Sequence, residues 1–131
     1  MKVSAEAVAK VPGENLRVSR ADFGALWALA EHLGEQAYRG DQYLIGVLWS
    51  CQWLARQPVW VSFMKRWEMP AAPLTRRRHA AMPETIDEEY LAAATAPAFE
   101  RERARGVMAT LEWTWHGSGR PPLDLSTAVA G

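Results

Sequence analysis

The chain has 131 residues, of which 49% are hydrophobic and 23% charged, and its formal net charge at pH 7 is zero. These values are typical of one globular domain and argue against wholesale disorder. Because basic and acidic residues balance, the sequence lacks the charge asymmetry of a dedicated nucleic-acid or anionic-membrane binder.

Cysteine usage and the length of the apolar runs narrow the class of protein further. Cys51 is the single cysteine, which excludes an internal disulfide and a cysteine-based metal cluster. The first residues, Met1-Lys2-Val3, do not begin the sustained apolar run of a signal peptide. The most apolar stretch, 43–55, is shorter than the roughly 20 residues that span a bilayer. We therefore expect a soluble, cytoplasmic protein with no membrane partner.

Residues 1–18 predict an N-terminal arm whose local structure the pattern leaves open. Ser4 is placed to cap a short Ala-rich helix, whereas the alternating apolar residues between Val3 and Val11 also fit a strand. Pro12-Gly13 then indicates a turn.

Residues 19–57 predict a first αα-hairpin. Ser19 is a suitable N-cap for its first helix, and Gly34 fits the position just beyond the C-terminus. The inner face of this helix is an apolar stripe of Phe23, Leu26, Trp27, Ala30 and Leu33. Asp41 caps the second helix and Pro58 ends it. Because residues 43–55 are apolar on almost every side, this central helix must be buried by several partners.

Residues 58–82 predict a long connection, with a short extended piece where apolar residues alternate over 59–63. Residues 83–117 then predict a second αα-hairpin, with Pro83 in the first turn of its first helix. The stripe of that helix is Ile86, Tyr90, Ala93 and Ala94. The last helix covers about 98–116, with an inner face of Phe99, Ala104, Val107, Met108, Leu111 and Trp115. Residues 118–131 are expected to form a loosely held tail.

Two segments 60 residues apart resemble each other. Residues 46–53 (GVLWSCQW) align without gaps with residues 106–113 (GVMATLEW). Glycine in a helix costs about 1 kcal/mol relative to alanine, so Gly46 and Gly106 at matching places indicate a packing role. The sequence therefore predicts one all-α domain of four main helices, built as two pseudo-symmetric αα-hairpins whose long helices cross closely at these glycines.

The seven tryptophans are the strongest pointer to binding. Trp53 and Trp113 are expected on either side of the helix crossing, where they either wall a slot for a flat or cationic group or fill the crossing itself. The residues that we consider for ligand binding or an interface are Trp49, Trp53, Trp60, Trp67, Trp113 and Glu112.

The polar residues are weak candidates for a metal or catalytic site. Glu112 and His116 are four residues apart on one helix, but a metal site needs three or four converging ligands, and no second motif supplies them. Cys51 lies on the most apolar helix, where burial makes a thiol inert. We therefore predict no catalytic residue, no metal and no cofactor.

Arginines form two clusters. One is Arg76, Arg77 and Arg78, and the other lies within residues 101–105. The first is the best candidate for contact with phosphates, but nearby acidic residues favour internal ion pairs or a solvated face for both clusters.

These observations favour a non-enzymatic interaction module that presents a Trp-rich surface to a protein partner or to a second copy of itself. The alternative is a small-ligand-binding protein or small enzyme with a Trp-lined cavity between the hairpins, where Glu112, Gln52 and Cys51 are the polar lining. A third hypothesis is nucleic-acid binding through the loop at Arg76 to Arg78, which the charge balance disfavours.

Overall fold

Helices supply almost all of the regular structure, as the hydrophobic periodicity predicts. The computed structural model describes residues 3–37, 41–55, 59–61, 66–68 and 81–126, and of residues 36, 37, 59–61 and 66–68 only the backbone. The elements are α1 (Ala5–Ala9), α2 (Arg20–Ala37), α3 (Gln42–Leu54), β1 (Val59–Val61), β2 (Arg66–Glu68), α4 (Pro83–Ala94) and α5 (Arg101–Thr114). The predicted all-α class is confirmed.

The N-terminal arm is helical and contributes to the core. The N–H of Ala7 donates to Ser4 Oγ at 3.0 Å, so the serine caps α1 and the helical alternative is the one observed. Beyond α1, the side chains of Val11 and Leu16 are buried. The arm therefore packs onto the body of the protein.

Side-chain caps begin α2 and α3 where the sequence predicts them. The N–H of Asp22 donates to Ser19 Oγ, and the N–H of Leu44 donates to the Asp41 carboxylate, both at 3.0 Å. The predicted end of α2 is wrong, because the helix continues past Gly34 to residue 37. A Cβ at Gly34 would lie 3.4 Å from Leu48 Cδ2, so this glycine faces α3 instead of reversing the chain.

The segment after α3 contains two short strands. β1 pairs with β2 in antiparallel register, with Val59 opposite Glu68 and Trp60 opposite Trp67. The predicted extended piece is present over Val59–Val61, and its continuation to residue 63 lies outside the described residues. The second strand was not predicted, since Arg66-Trp67-Glu68 is too short for a period of two to show. The remainder of the predicted connection, including Pro58 and residues 69–80, lies outside the described residues.

The second half of the chain follows the prediction except at two apolar side chains. Pro83 is the first residue of α4, as expected, and Ile86 and Ala93 are buried. Ala94, in contrast, is exposed. Phe99 was assigned to the inner face of the last helix, but its side chain is 81% exposed. A 3-10 helix, Ala98–Glu100, precedes α5, and its different turn places Phe99 out of phase with the buried stripe.

The C-terminal residues are held more firmly than predicted. Beyond the end of α5, Gly117 adopts φ of 68°, and the N–H of Ser118 donates to the Glu112 carbonyl, so the chain turns back against the last turn of the helix. After this turn the Tyr43 hydroxyl donates to the carbonyl of Pro122 at 2.9 Å. Leu123 and Leu125 pack against the core, so this part of the tail is docked because it covers apolar surface.

Candidate functional site

The centre of the molecule is the α3–α5 crossing, where α3 and α5 touch at Gly46 and Gly106. A Cβ at Gly46 would overlap the carbonyl oxygen of Arg103 and come within 3.1 Å of the Val107 nitrogen. A Cβ at Gly106 would meet Tyr43 and Val47 in the same way. The obstructing atoms belong to the backbone and cannot rotate away. The predicted close approach of the two helices is therefore present.

The glycines not only permit the crossing but also stabilise it. In each glycine the hydrogen that replaces Cβ points at the carbonyl oxygen of the opposite helix. This is the arrangement of a Cα–H···O contact, a weak attraction that recurs where helices pack closely. Because Gly46 faces α5 and Gly106 faces α3, the contact is reciprocal.

The burial pattern along the two helices is the same at a separation of 60 residues. In residues 41–55 the buried positions are Leu44, Gly46, Val47, Ser50, Cys51, Trp53, Leu54 and Ala55. In residues 101–115 they are Ala104, Gly106, Val107, Thr110, Leu111, Trp113, Thr114 and Trp115. Every buried position in one segment has its buried counterpart in the other, including positions where the residue types differ.

The C-terminal ends of α3 and α5 are joined by residues that sequence reasoning missed. Asn15 is fully buried, and its Nδ2 donates to the carbonyls of Leu54 at 3.0 Å and Ala81 at 3.1 Å. The N–H of Arg17 donates to the carbonyl of Thr114. Leu54 and Thr114 are again 60 residues apart, so the segment 15–17 satisfies corresponding carbonyls of both helices. An asparagine in a predicted arm gives no sequence signal for this role.

The predicted tryptophan site is divided between core and surface. Trp53 is 1% exposed and Trp113 is 9% exposed, and both belong to the hydrophobic core. Trp49 is 43% exposed. Trp60 and Trp67 are partners in the strand pair, and their side chains lie outside the description. Of the described indoles, that of Trp49 is therefore the one available at the surface.

Glu112 and His116 lie on the surface beside Tyr90. The rings of Tyr90 and His116 meet edge to face, with centroids 4.7 Å apart. Partial burial and the negative charge of Glu112 raise the pKa of Tyr90, whose hydroxyl hydrogen-bonds to that carboxylate. Within the described ranges no three His, Cys, Asp or Glu side chains are grouped to hold a metal. The cluster serves as a surface contact between α4 and the end of α5.

The other polar candidates face different surroundings. Burial, with the nearby charge of Glu31 as a second cause, raises the pKa of the Cys51 thiol, so it is neutral and a poor nucleophile. Gln52 Nε2 donates to the Glu31 carboxylate at 3.3 Å. The structure therefore does not bring Cys51, Gln52 and Glu112 together around one cavity.

A surface depression of about 220 Å³ lies along α2 and is not at the α3–α5 crossing. Its lining residues are Val3, Ala28, Glu31, His32 and Glu35. Two carboxylates give it an acidic character, but no aromatic wall of the predicted kind is among these residues.

The structure describes only the second of the two arginine clusters. Arg103 pairs with Glu100 at 3.0 Å and Arg105 pairs with Glu102 at 3.2 Å, as the ion-pair interpretation predicts. The candidate phosphate-binding residues Arg76, Arg77 and Arg78 lie outside the described residues, and their role stays a prediction.

Large apolar side chains at the surface are the feature that sequence reasoning located least well. Met82 is 41% exposed, Leu91 is 65% exposed and Phe99 is 81% exposed. Leu91 and Phe99 are the first and last residues of a nine-residue stretch, LAAATAPAF, that contains no charged side chain. That run was the available signal, but its helical periodicity suggested a buried face.

Two searches, one for a membrane-spanning helix among the described residues and one for similar proteins, found no candidate. Within the part of the chain that the structure describes, no helix combines the length and the apolar composition that a bilayer crossing requires. No protein-family model, curated protein or solved structure shows a significant match to this chain.

Proposed function

We propose that the protein is a non-enzymatic helical interaction module that binds a protein partner or a second copy of itself through apolar side chains on its surface. The observation that carries the proposal is Phe99, which is 81% exposed and is not part of the hydrophobic core. Leu91, Trp49 and Met82 add further exposed apolar area. Aromatic residues and methionine are enriched in interfaces relative to the remaining surface.

The surroundings of the polar candidates favour binding over catalysis. Cys51 is a neutral thiol in the core, and Glu112 engages Tyr90 at the surface. General acid–base catalysis needs its groups within hydrogen-bond reach of one substrate position. The separate surroundings of these residues do not support such an arrangement.

The proposed architecture behind this surface is a pair of αα-hairpins, α2 with α3 and α4 with α5, related by a pseudo-two-fold axis through the α3–α5 crossing. Three observations support it: the gapless alignment, the reciprocal glycine contacts and the shared buried positions. Such a body presents two ends of similar shape that are free to differ in surface chemistry. Trp49 adds an indole to this surface, and the side chains of Trp60 and Trp67 remain predicted contributors.

Site-specific photo-crosslinking tests the proposal. A photoreactive phenylalanine analogue is placed at Phe99, at Trp49 or, as a control, at Glu6, whose side chain is 79% exposed on α1. Irradiation of cells that make these variants should give a covalent adduct of one defined mass from position 99 or 49 and none from position 6. Equal or absent crosslinking at all three positions would remove the basis for an interaction surface.

A further inference from the structure

The end of the second hairpin, which we term the α4–α5 tip, is an apolar surface held on an ordered backbone. It comprises residues 91–99, which carry no charge. The N–H of Thr95 donates to the Leu91 carbonyl at 3.1 Å, and that of Glu100 donates to the Pro97 carbonyl at 2.9 Å. Because local hydrogen bonds satisfy the turn, the exposure of Leu91 and Phe99 is a property of the fold and does not reflect a frayed helix end.

Opposite charges flank the α4–α5 tip. Glu88 lies one turn before Leu91 on the same face of α4, and Arg101 begins α5 two residues after Phe99. Both side chains are exposed, and in the described part of the chain neither forms an ion pair. Glu100 and Glu102, on either side of Arg101, are paired with Arg103 and Arg105. In the described part of the chain, Glu88 and Arg101 are therefore the exposed charges beside the tip that are available to pair with another molecule.

We infer that the α4–α5 tip binds the same tip of a second copy of this chain. The inference rests on the proposed function and names its partner. In a two-fold contact the same patch of each copy meets its equivalent on the other copy. The centre of such a patch must therefore carry no charge, and a charge on one edge must meet the opposite charge on the other edge of the partner. Here the reversal brings Glu88 of one copy towards Arg101 of the other, while Leu91 and Phe99 cover each other. The zero net charge of the chain removes long-range repulsion between copies.

The expected dimer is weak and concentration-dependent. A tip of nine residues covers less surface than the roughly 800 Å² per partner of a standard stable interface. We therefore expect dissociation in the micromolar range or weaker, with Phe99 as the central apolar contact.

Sedimentation velocity over protein concentrations up to about 1 mM tests the inference. Phe99→Ser should weaken dimerisation at least tenfold, the scale of a central aromatic contact. Glu88→Arg and Arg101→Glu should each weaken it, and the double variant should restore it, because the two charges then face each other in exchanged positions. Glu6→Ser is the control, since the Glu6 side chain is 79% exposed on α1, outside the proposed binding surface, and its loss should leave the dimer unchanged. Circular dichroism checks that each variant is folded.

Three results would overturn the second copy as partner: a monomer at every concentration, a dimer insensitive to Phe99→Ser, or a double charge variant no better than the single ones. The crosslinking experiment separates this failure from failure of the proposed function. A monomer whose position 99 crosslinks to a different protein retains the proposed function, whereas a monomer that forms no adduct contradicts both.

Discussion

The inner faces of α3 and α5 resemble each other closely, whereas the segments in which α2 and α4 end do not. Along the inner faces every buried position corresponds at a separation of 60 residues. At the ends the correspondence is lost: residues 31–37 (EHLGEQA) are acidic, whereas residues 91–97 (LAAATAP) carry no charge. Where backbones touch, side-chain size is restricted, and where solvent begins it is not. Packing therefore constrains the residues at the crossing, and the residues at the ends are free to differ in surface chemistry.

The largest expected effect is at the α3–α5 crossing itself. Gly46→Ala or Gly106→Ala places a methyl group against backbone carbonyls, so both helices must separate. Overpacking of this kind costs about 1–3 kcal/mol and more where the obstacle is backbone, which exceeds the gain of about 1 kcal/mol in helix propensity. We expect each alanine variant to lose at least about 2 kcal/mol of unfolding free energy, and Gly46→Leu to prevent folding.

Gly34→Ala provides the control for this loss. A Cβ there makes an ordinary contact with the end of the Leu48 side chain, so the variant should be neutral or stabilised by up to about 1 kcal/mol. Urea denaturation followed by circular dichroism measures all the variants. If Gly46→Ala were as well tolerated as Gly34→Ala, the two helices would not approach as closely as described.

The crossing was predictable from sequence, while much of the candidate surface was not. Gly46 and Gly106 were visible because glycine is unfavourable inside a helix and its recurrence needs a physical cause. Phe99 was assigned to the core because apolar spacing does not reveal where a 3-10 turn changes the phase of the chain. Asn15 was not identified because its partners are backbone carbonyls from distant parts of the chain, which leave no pattern near residue 15.

A smaller effect is expected where the ends of α3 and α5 are held by different kinds of donor. For α5 the donor is the backbone N–H of Arg17, whereas for α3 it is the side chain of Asn15, which mutation can remove. Asn15→Leu preserves size but removes the side-chain donor to two buried carbonyls, which should cost about 1–3 kcal/mol. Hydrogen exchange should accelerate near the end of α3 and the start of α4 and stay unchanged at the end of α5.

Asn15→Asp sharpens this test because it changes only the donor group. A buried carboxylate would face two carbonyl oxygens, so at pH 7 this variant should be less stable than Asn15→Leu. Below about pH 4 the acid is protonated and can donate one hydrogen bond, so its difference from wild type should shrink. A difference that does not depend on pH would mean that the side chain does not face these carbonyls.

The smallest expected effect is on the pH dependence of stability, at one position where α3 and α5 carry chemically different buried residues. Cys51 in α3 occupies the place of Leu111 in α5, and burial raises the pKa of its thiol above that of the unfolded chain. Above about pH 9 the unfolded state therefore loses a proton that the folded state keeps, and unfolding becomes easier by up to about 1.4 kcal/mol per pH unit. Below that pH the neutral thiol contributes its full stabilisation.

Cys51→Ala removes this titration, so the unfolding free energy of the variant should fall less steeply between about pH 9 and 10, where tyrosines have only begun to ionise. The comparison uses slopes, so the cavity left by the alanine does not confound it. Equal slopes in the two proteins would show that the thiol already ionises in the folded state and that position 51 is not as dry as position 111.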